Sequence, residues 1–310
     1  MRSGFVAVVG RPNVGKSTLL NRIIGTRLAA VSPKAQTTWH ALRGIHTESR
    51  GQMIFIDTPG LHRSAAPMNA GMIAQALAAA DAADLTLVLV DGSALDERDK
   101  AVMAAVSRLR APIVAVNKID RLETQALAAA VAQVDAWGSD NTVAVSAADG
   151  QGVERLLEVL FARLPSSPPL YPDEELTDKP IRFLVAECVR QALFEQFTQE
   201  LPYQAWVEID QYREPEVGER RKTYVHATIH LARKSQKQII IGSRGRAVRA
   251  LGMRARELAE PMIGGPLFLE LWVKISPKWV KEARRLREAG IVDPAARVSA
   301  SRLAPWVGDS

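Results

Sequence analysis

The chain has 310 residues, 47% hydrophobic and 24% charged, the balance of an ordinary globular protein with room for two domains at ~150 residues each. A single cysteine, Cys188, excludes an intrachain disulfide and fits a reducing cytoplasmic setting, and no apolar run approaches the ~18 residues of a membrane span. The net charge of +6 points only weakly to a polyanionic partner, but its placement says more: Arg220 to Arg256 holds eleven basic residues and no Asp or Glu, leaving the rest net acidic.

Short apolar runs at Phe5–Val9, Met53–Ile56, Leu85–Val90, Ile113–Val116 and Thr142–Val145 read as strands, each followed by a Gly or polar residue: Gly10, Asp57, Asp91, Asn117 and Ser146. Between them lie Ala/Leu-rich stretches of helical length, such as Ala70–Ala80 and Leu122–Ala136. This alternation predicts an α/β domain over residues 1–167, with a mostly parallel sheet and helices on both faces. Ligands of such sheets sit beyond the carboxyl ends of the strands, where those polar residues fall. The proline-rich run Pro165 to Pro172 marks a linker, placed at residues 168–180.

Residues 181–290 begin with a helix expected from about Ile181 to Glu200, with Cys188 read as a small buried hydrophobe. Strands follow at about Gln204–Tyr212 and Thr223–Ala232. A Gly242-Ser243-Arg244-Gly245 loop leads into a helix through about Glu260, and Leu267–Ile275 alternates as a strand. Pro277 is expected to open a basic helix to about Ala289, and residues 291–310 form a tail.

Gly10 to Ser17 matches G-x-x-x-x-G-K-[ST], between a strand and a helix, the context of a phosphate-binding P-loop. Backbone N–H groups of Gly10, Arg11, Pro12, Asn13, Val14, Gly15, Lys16, Ser17 and Thr18, less the proline, and the helix N-terminus beyond suit phosphate oxygens. Lys16 is expected to reach the β- and γ-phosphates and Ser17 to ligate Mg²⁺. One strand later Asp57-Thr58-Pro59-Gly60-Leu61 offers Asp57 to the magnesium ion and the Gly60 N–H to the γ-phosphate. Asn117-Lys118-Ile119-Asp120 fits guanine recognition, because the Asp120 carboxylate accepts from the guanine N1–H and amine. Ser146-Ala147 suits a backbone donor to the guanine O6. Gln36-Thr37-Thr38-Trp39 is the candidate switch segment, with Thr38 as a second magnesium ligand. The expected catalytic set is Lys16, Thr38 and Gly60. The usual water-orienting Gln after D-x-x-G is absent, since Leu61 stands there.

The predicted helix–strand–strand–helix–helix–strand order, the G-x-x-G loop and the basic window fit a type II KH domain, an α+β RNA-binding module. Its expected contact residues are Ile241, Gly242, Ser243, Arg244, Gly245 and Arg246, with Lys234 and Lys237 flanking.

Together Gly10–Ser17, Ala35-Gln36-Thr37-Thr38, Asp57–Gly60, Asn117–Asp120, the G-x-x-G loop and Leu269-Glu270-Leu271-Trp272-Val273-Lys274 with Trp279 resemble the Era family of GTPases, over about residues 3 to 293. Trp39 and Ala41 stand where that family commonly has basic residues, and Ala148 where Lys is frequent. The resemblance implies a monomeric GTPase, binding GTP and GDP, that acts in maturation of the 30S small ribosomal subunit. Its KH domain would bind the 3′ region of 16S rRNA, and some members of the family contact the inner membrane peripherally; separately, two binding modules joined by a short proline-rich linker suggest that nucleotide state gates RNA binding. Related GTPases with Asn at the position of Asn13 hold K⁺ against the phosphates, which makes Asn13 a candidate K⁺ ligand. The competing reading is a GTPase switch for a protein or membrane partner, its basic patch contacting acidic lipid.

Overall fold

The computed structural model describes residues 1–31, 38–39, 41–62, 67–106, 112–139, 141–216 and 222–277, with isolated positions 279, 298, 303, 305 and 306. The chain divides into two compact units, one holding 1–29, 38–178 and 291–310, the other 30–37 and 179–290.

The first unit is built on strands β1 (Arg2–Val9), β2 (Leu42–Glu48), β3 (Gly51–Asp57), β4 (Leu85–Asp91), β5 (Ile113–Asn117) and β6 (Thr142–Ala144). Its helices are α1 (Lys16–Ile24), α2 (Pro67–Ala82), α3 (Glu97–Val106), α4 (Thr124–Ala136) and α5 (Val153–Arg163). The sheet order is β2-β3-β1-β4-β5-β6. Every neighbouring pair is parallel except β2–β3. The five apolar runs became the five parallel strands because crossover helices bury both faces of such strands and so favour apolar residues at successive positions. Ala7, Val9, Val88, Val90, Val114 and Val116 pack with Ile73, Leu77, Val102, Met103 and Val134 of α2, α3 and α4. The alternate positions Val6, Val8, Leu87 and Leu89 are as deeply buried, and α1 and α5 bury Leu19, Leu20, Leu156, Leu160 and Phe161.

Strand β2 is the element the apolar runs did not announce. It is an edge strand with Arg43, His46 and Glu48 among seven residues, paired antiparallel with β3. The proline-rich segment is anchored to the same edge. Buried Gln52 accepts the Leu170 and Tyr171 N–H groups at 2.8 and 2.9 Å and donates to the Tyr171 carbonyl at 2.9 Å. The Ile45 N–H donates to the Leu176 carbonyl at 2.9 Å.

The second unit comprises α6 (Ile181–Gln196), β7 (Ala205–Arg213), β8 (Thr223–Leu231), α7 (Lys234–Ile241), α8 (Arg246–Ile263) and β9 (Leu267–Ile275). Its sheet order is β7-β8-β9, antiparallel then parallel. Helix α6 ends four residues before the expected stop, where Phe197 turns extended and buries its ring. Buried Cys188 lies 3.4 Å from the Met262 sulfur. The Ile239–Ile241 run is the last turn of α7. Of the expected helix from Pro277, only Pro277 and Trp279 lie within the described residues. Among the described residues no helix is long and apolar enough to cross a membrane.

Candidate active site and nucleic-acid interface

Because β1, β3, β4, β5 and β6 are parallel, their carboxyl ends meet on one side, and the motif residues follow those ends. Gly10 to Gly15 turn out of β1, with Asn13 at φ 64° and Gly15 at φ 104°, and Lys16 opens α1. Gly15 is required twice over: its φ is left-handed, and a Cβ there would lie 2.3 Å from Asn117 Nδ2. Lys16 is buried. Its Nζ donates to the Gly10 and Arg11 carbonyls at 3.2 and 2.9 Å. Burial lowers its pKa from 10.5 to about 8, with Asp57 pulling the other way.

Three oxygens converge beside it. Ser17 Oγ donates to Asp57 Oδ2 at 2.7 Å and lies 3.0 Å from Thr38 Oγ1, which is 3.4 Å from the same Asp57 oxygen. This hard-oxygen set is chemically suited to Mg²⁺. Thr58 Oγ1 donates to the Val8 carbonyl at 2.8 Å, tying the D-T-P-G turn to β1. The Leu61 N–H donates to the Gly10 carbonyl at 3.0 Å while its side chain is fully buried with Ala7, Val9 and Ile73. Leu61 is therefore a core residue. His62 bonds its own turn, Nδ1 to the Gly60 carbonyl at 2.9 Å. Gln36 and Thr37 lie outside the described residues; Trp39, after Thr38, is buried.

Asn117 holds two loops together. Its Nδ2 donates to the Val14 carbonyl at 2.7 Å, and its Oδ1 accepts the Ala147 N–H at 2.9 Å. Lys118, at φ 65°, reaches Asp91 at 2.5 Å. Burial pushes Asp91 up, but the bonds from Lys118 and Ser93 outweigh it and hold the carboxyl below its ordinary value. Ile119 is buried, and Asp120 accepts from Ser146 Oγ at 2.8 Å, which fixes its carboxylate. Three partners of the motifs carry no signal of that role in the sequence. Asp91 was noted only as a strand end. Asp96 and Asp99, preceding and inside α3, hold the P-loop Arg11 at 3.0 and 2.8 Å. No spacing rule links them to Arg11, since the contact spans some ninety residues.

In the second unit the G-x-x-G segment is a tight turn between α7 and α8. Gly242, Arg244 and Gly245 all have positive φ, at 68°, 52° and 75°. Ser243, Arg244, Arg246 and Lys234 are exposed, and Ile241 and Lys237 half-buried. The basic window is not uniform, because Arg254 is committed to Glu195 and Glu257 at 2.6 and 3.0 Å.

Such a site and such a second unit define a P-loop GTPase joined to a KH domain. Residues 5–118 match the family model of a "50S ribosome-binding GTPase" and residues 190–280 that of the KH domain. The chain is 42% identical to the GTPase Era of Geobacter sp. (strain M21), over 93% of this chain and 97% of that one. It is 40% identical to that of Pseudomonas aeruginosa (strain PAO1), over 94% and 96%. A crystal structure of a variant of Aquifex aeolicus Era bound to GDP.AlF4⁻ superposes with a TM-score of 0.89 at 32% identity, covering 94% of this chain and all of the other. A structure of Era with MgGDPNP and nucleotides 1506–1542 of 16S ribosomal RNA matches equally well. The chain belongs to the Era GTPase family and is a GTP-hydrolysing enzyme.

Proposed function

We propose that the chain is a GTP-dependent assembly factor of the small ribosomal subunit that binds the 3′ region of 16S rRNA through its KH loop. The observation that carries this reading is the joining, in one chain, of a guanine-type P-loop site to an exposed basic G-x-x-G turn. The match to an Era bound to that RNA supports it.

On this reading the P-loop backbone and Lys16 hold the β- and γ-phosphates, and Asp120 and Asn117 select guanine. Ser17, Thr38 and Asp57 would hold a magnesium ion, which supplies charge neutralisation at the phosphates when bound. Hydrolysis is in-line attack of water on the γ-phosphate. With Leu61 in the core, the Gly60 N–H and neighbouring backbone are left to orient that water. Asn13 would hold a potassium ion, which would supply charge at the phosphates in place of an arginine finger; Arg11 of the same loop is tied to Asp96 and Asp99. Faster hydrolysis in K⁺ than in Na⁺ buffer is expected; equal rates refute the potassium role.

On the RNA side, Gly242 and Gly245 bring the turn close to a phosphate, and Arg244, Arg246, Lys234 and Lys237 supply charge. Crosslinking and sequencing of bound RNA tests the whole reading. The Gly245→Asp chain should lose 16S 3′-end RNA and keep GTP hydrolysis. Recovery of unchanged RNA by that variant, or of none by the wild type, removes the assembly role. Nucleotide state is expected to gate RNA affinity, and identical affinity with GDP, with a GTP analogue and without nucleotide counts against that.

A further inference from the structure

The KH sheet has one face that neither the GTP site nor the G-x-x-G turn uses. Val225, Ala227, Ile229 and Leu231 of β8 enter the core beneath α6 and α8. Strand alternation therefore puts Tyr224, His226, Thr228 and His230 on the opposite face, beside Phe268, Glu270, Trp272 and Lys274 of β9. One end of this face is closed: Trp279 is buried 6.2 Å from Trp206, which stacks on His230 at 4.4 Å. The other end is open. Phe268 is 53% and Trp272 59% exposed, although both rings are oriented, Phe268 stacked on Tyr224 and Trp272 set edge-on to His226.

Between those two exposed rings, two residues from each along the same strand, stands Glu270. Tyr224 Oη donates to its Oε2 at 2.8 Å, and Trp272 Nε1 to its Oε1 at 3.0 Å. The two donors fix the carboxylate's orientation, and the bonds from Trp272 and Tyr224 hold it below its ordinary pKa. Each oxygen keeps a further lone pair, because an ionised carboxylate has about four acceptor positions. A fixed carboxylate framed by two aromatic rings is complementary to a guanidinium, which takes bidentate hydrogen bonds at its edge and stacks through its face. Phosphate is disfavoured there. Glu208, Asp210 and Glu270 all lie on or beside this face, and its arginine, Arg213, already sits over the Tyr224 ring at 5.9 Å.

We propose that Phe268, Glu270 and Trp272 form a seat for an arginine side chain of a basic protein segment, an interaction surface distinct from the RNA-facing turn. The test uses the full chain and a capped Gly-Arg-Gly-Arg-Gly peptide, with its citrulline counterpart as the uncharged isostere. The readout is the Trp272 indole N–H resonance, assigned by its loss in Trp272→Phe. The arginine peptide should move that resonance saturably. The citrulline peptide, and Glu270→Gln with the arginine peptide, should bind about tenfold more weakly. The melting temperature and the hydrolysis rate of Glu270→Gln should stay at wild-type values. No saturable shift, an equal shift with citrulline or in Glu270→Gln, tighter binding of a uridine oligonucleotide at Trp272, or self-association displacing the peptide would each overturn the proposal.

Discussion

At the scale of single residues, Lys16 carries the largest electrostatic consequence. Its native pKa, about 8, lies below the ordinary 10.5, so the cost of burying its charge is fully present below about pH 8. Between those values the unfolded chain binds a proton that the native chain lacks, and native stability from this group rises with pH through the window. Phosphates placed against Lys16 restore its charge. Nucleotide binding at about pH 8.5 should therefore take up a proton, seen by calorimetry in buffers of different ionisation heat, and much less at about pH 7. Lys16→Met should abolish the difference. On the proposed reading Asp120, held by Ser146, accepts from the guanine N1–H and amine. Asp120→Asn turns an acceptor into a donor and should weaken GTP at least ~100-fold while admitting xanthosine triphosphate, whose ring offers an oxygen where guanine has an amine. Leu61→Gln supplies the missing side chain, but at a core position. It should destabilise the first unit by about 1–3 kcal/mol, read from the denaturant midpoint, without raising the single-turnover rate.

At the scale of elements, the two glycines of the KH turn are not equivalent. A Cβ on Gly242 would lie 2.7 Å from the Ala247 Cβ, whereas one on Gly245 meets nothing within 4 Å. Both need positive φ. Gly245→Ala should cost about 1 kcal/mol and Gly242→Ala about 2 or more, so thermal unfolding should rank Gly242→Ala as the less stable. Elements were legible where burial is two-sided or strictly alternating: the five parallel strands and β9 read directly from apolar residues. Strand β2 did not, because an edge strand tolerates Arg43, His46 and Glu48. Helix α7, expected from the placement of the G-x-x-G loop between two helices, buries Ile240 of the Ile239–Ile241 run and leaves Ile239 exposed.

At the scale of the molecule, three described residues near the C-terminus join the first unit's core cluster. Trp306 is buried in the core cluster that holds side chains of the central strands and of α2, α3 and α4, with Val298 and Leu303 packed against the same cluster. Trp306→Ala should destabilise that unit by about 3–5 kcal/mol, measured as an earlier denaturant midpoint. The sequence read as a tail there, since lone apolar residues near a terminus carry no periodicity to reveal their partner. The proline-rich segment is similar: Gln52, near the start of β3, secures it through three hydrogen bonds that no local pattern encodes.

The sequence alone determined the class of chemistry, because phosphate and guanine recognition depend on short contiguous runs whose spacing is set by backbone geometry. It likewise determined the KH order, through the alternation of its strands and a glycine-bounded turn between two helices. Only the tertiary structure decided the pairings between runs. Arg11 with Asp96 and Asp99, Lys118 with Asp91, Asn117 with Val14 and Ala147, and Glu270 with Tyr224 join residues on different elements. It also turned Leu61 inward, so that a missing glutamine became a buried leucine. Such contacts are set by how elements pack, and packing depends on the whole core rather than on neighbouring residues in the chain.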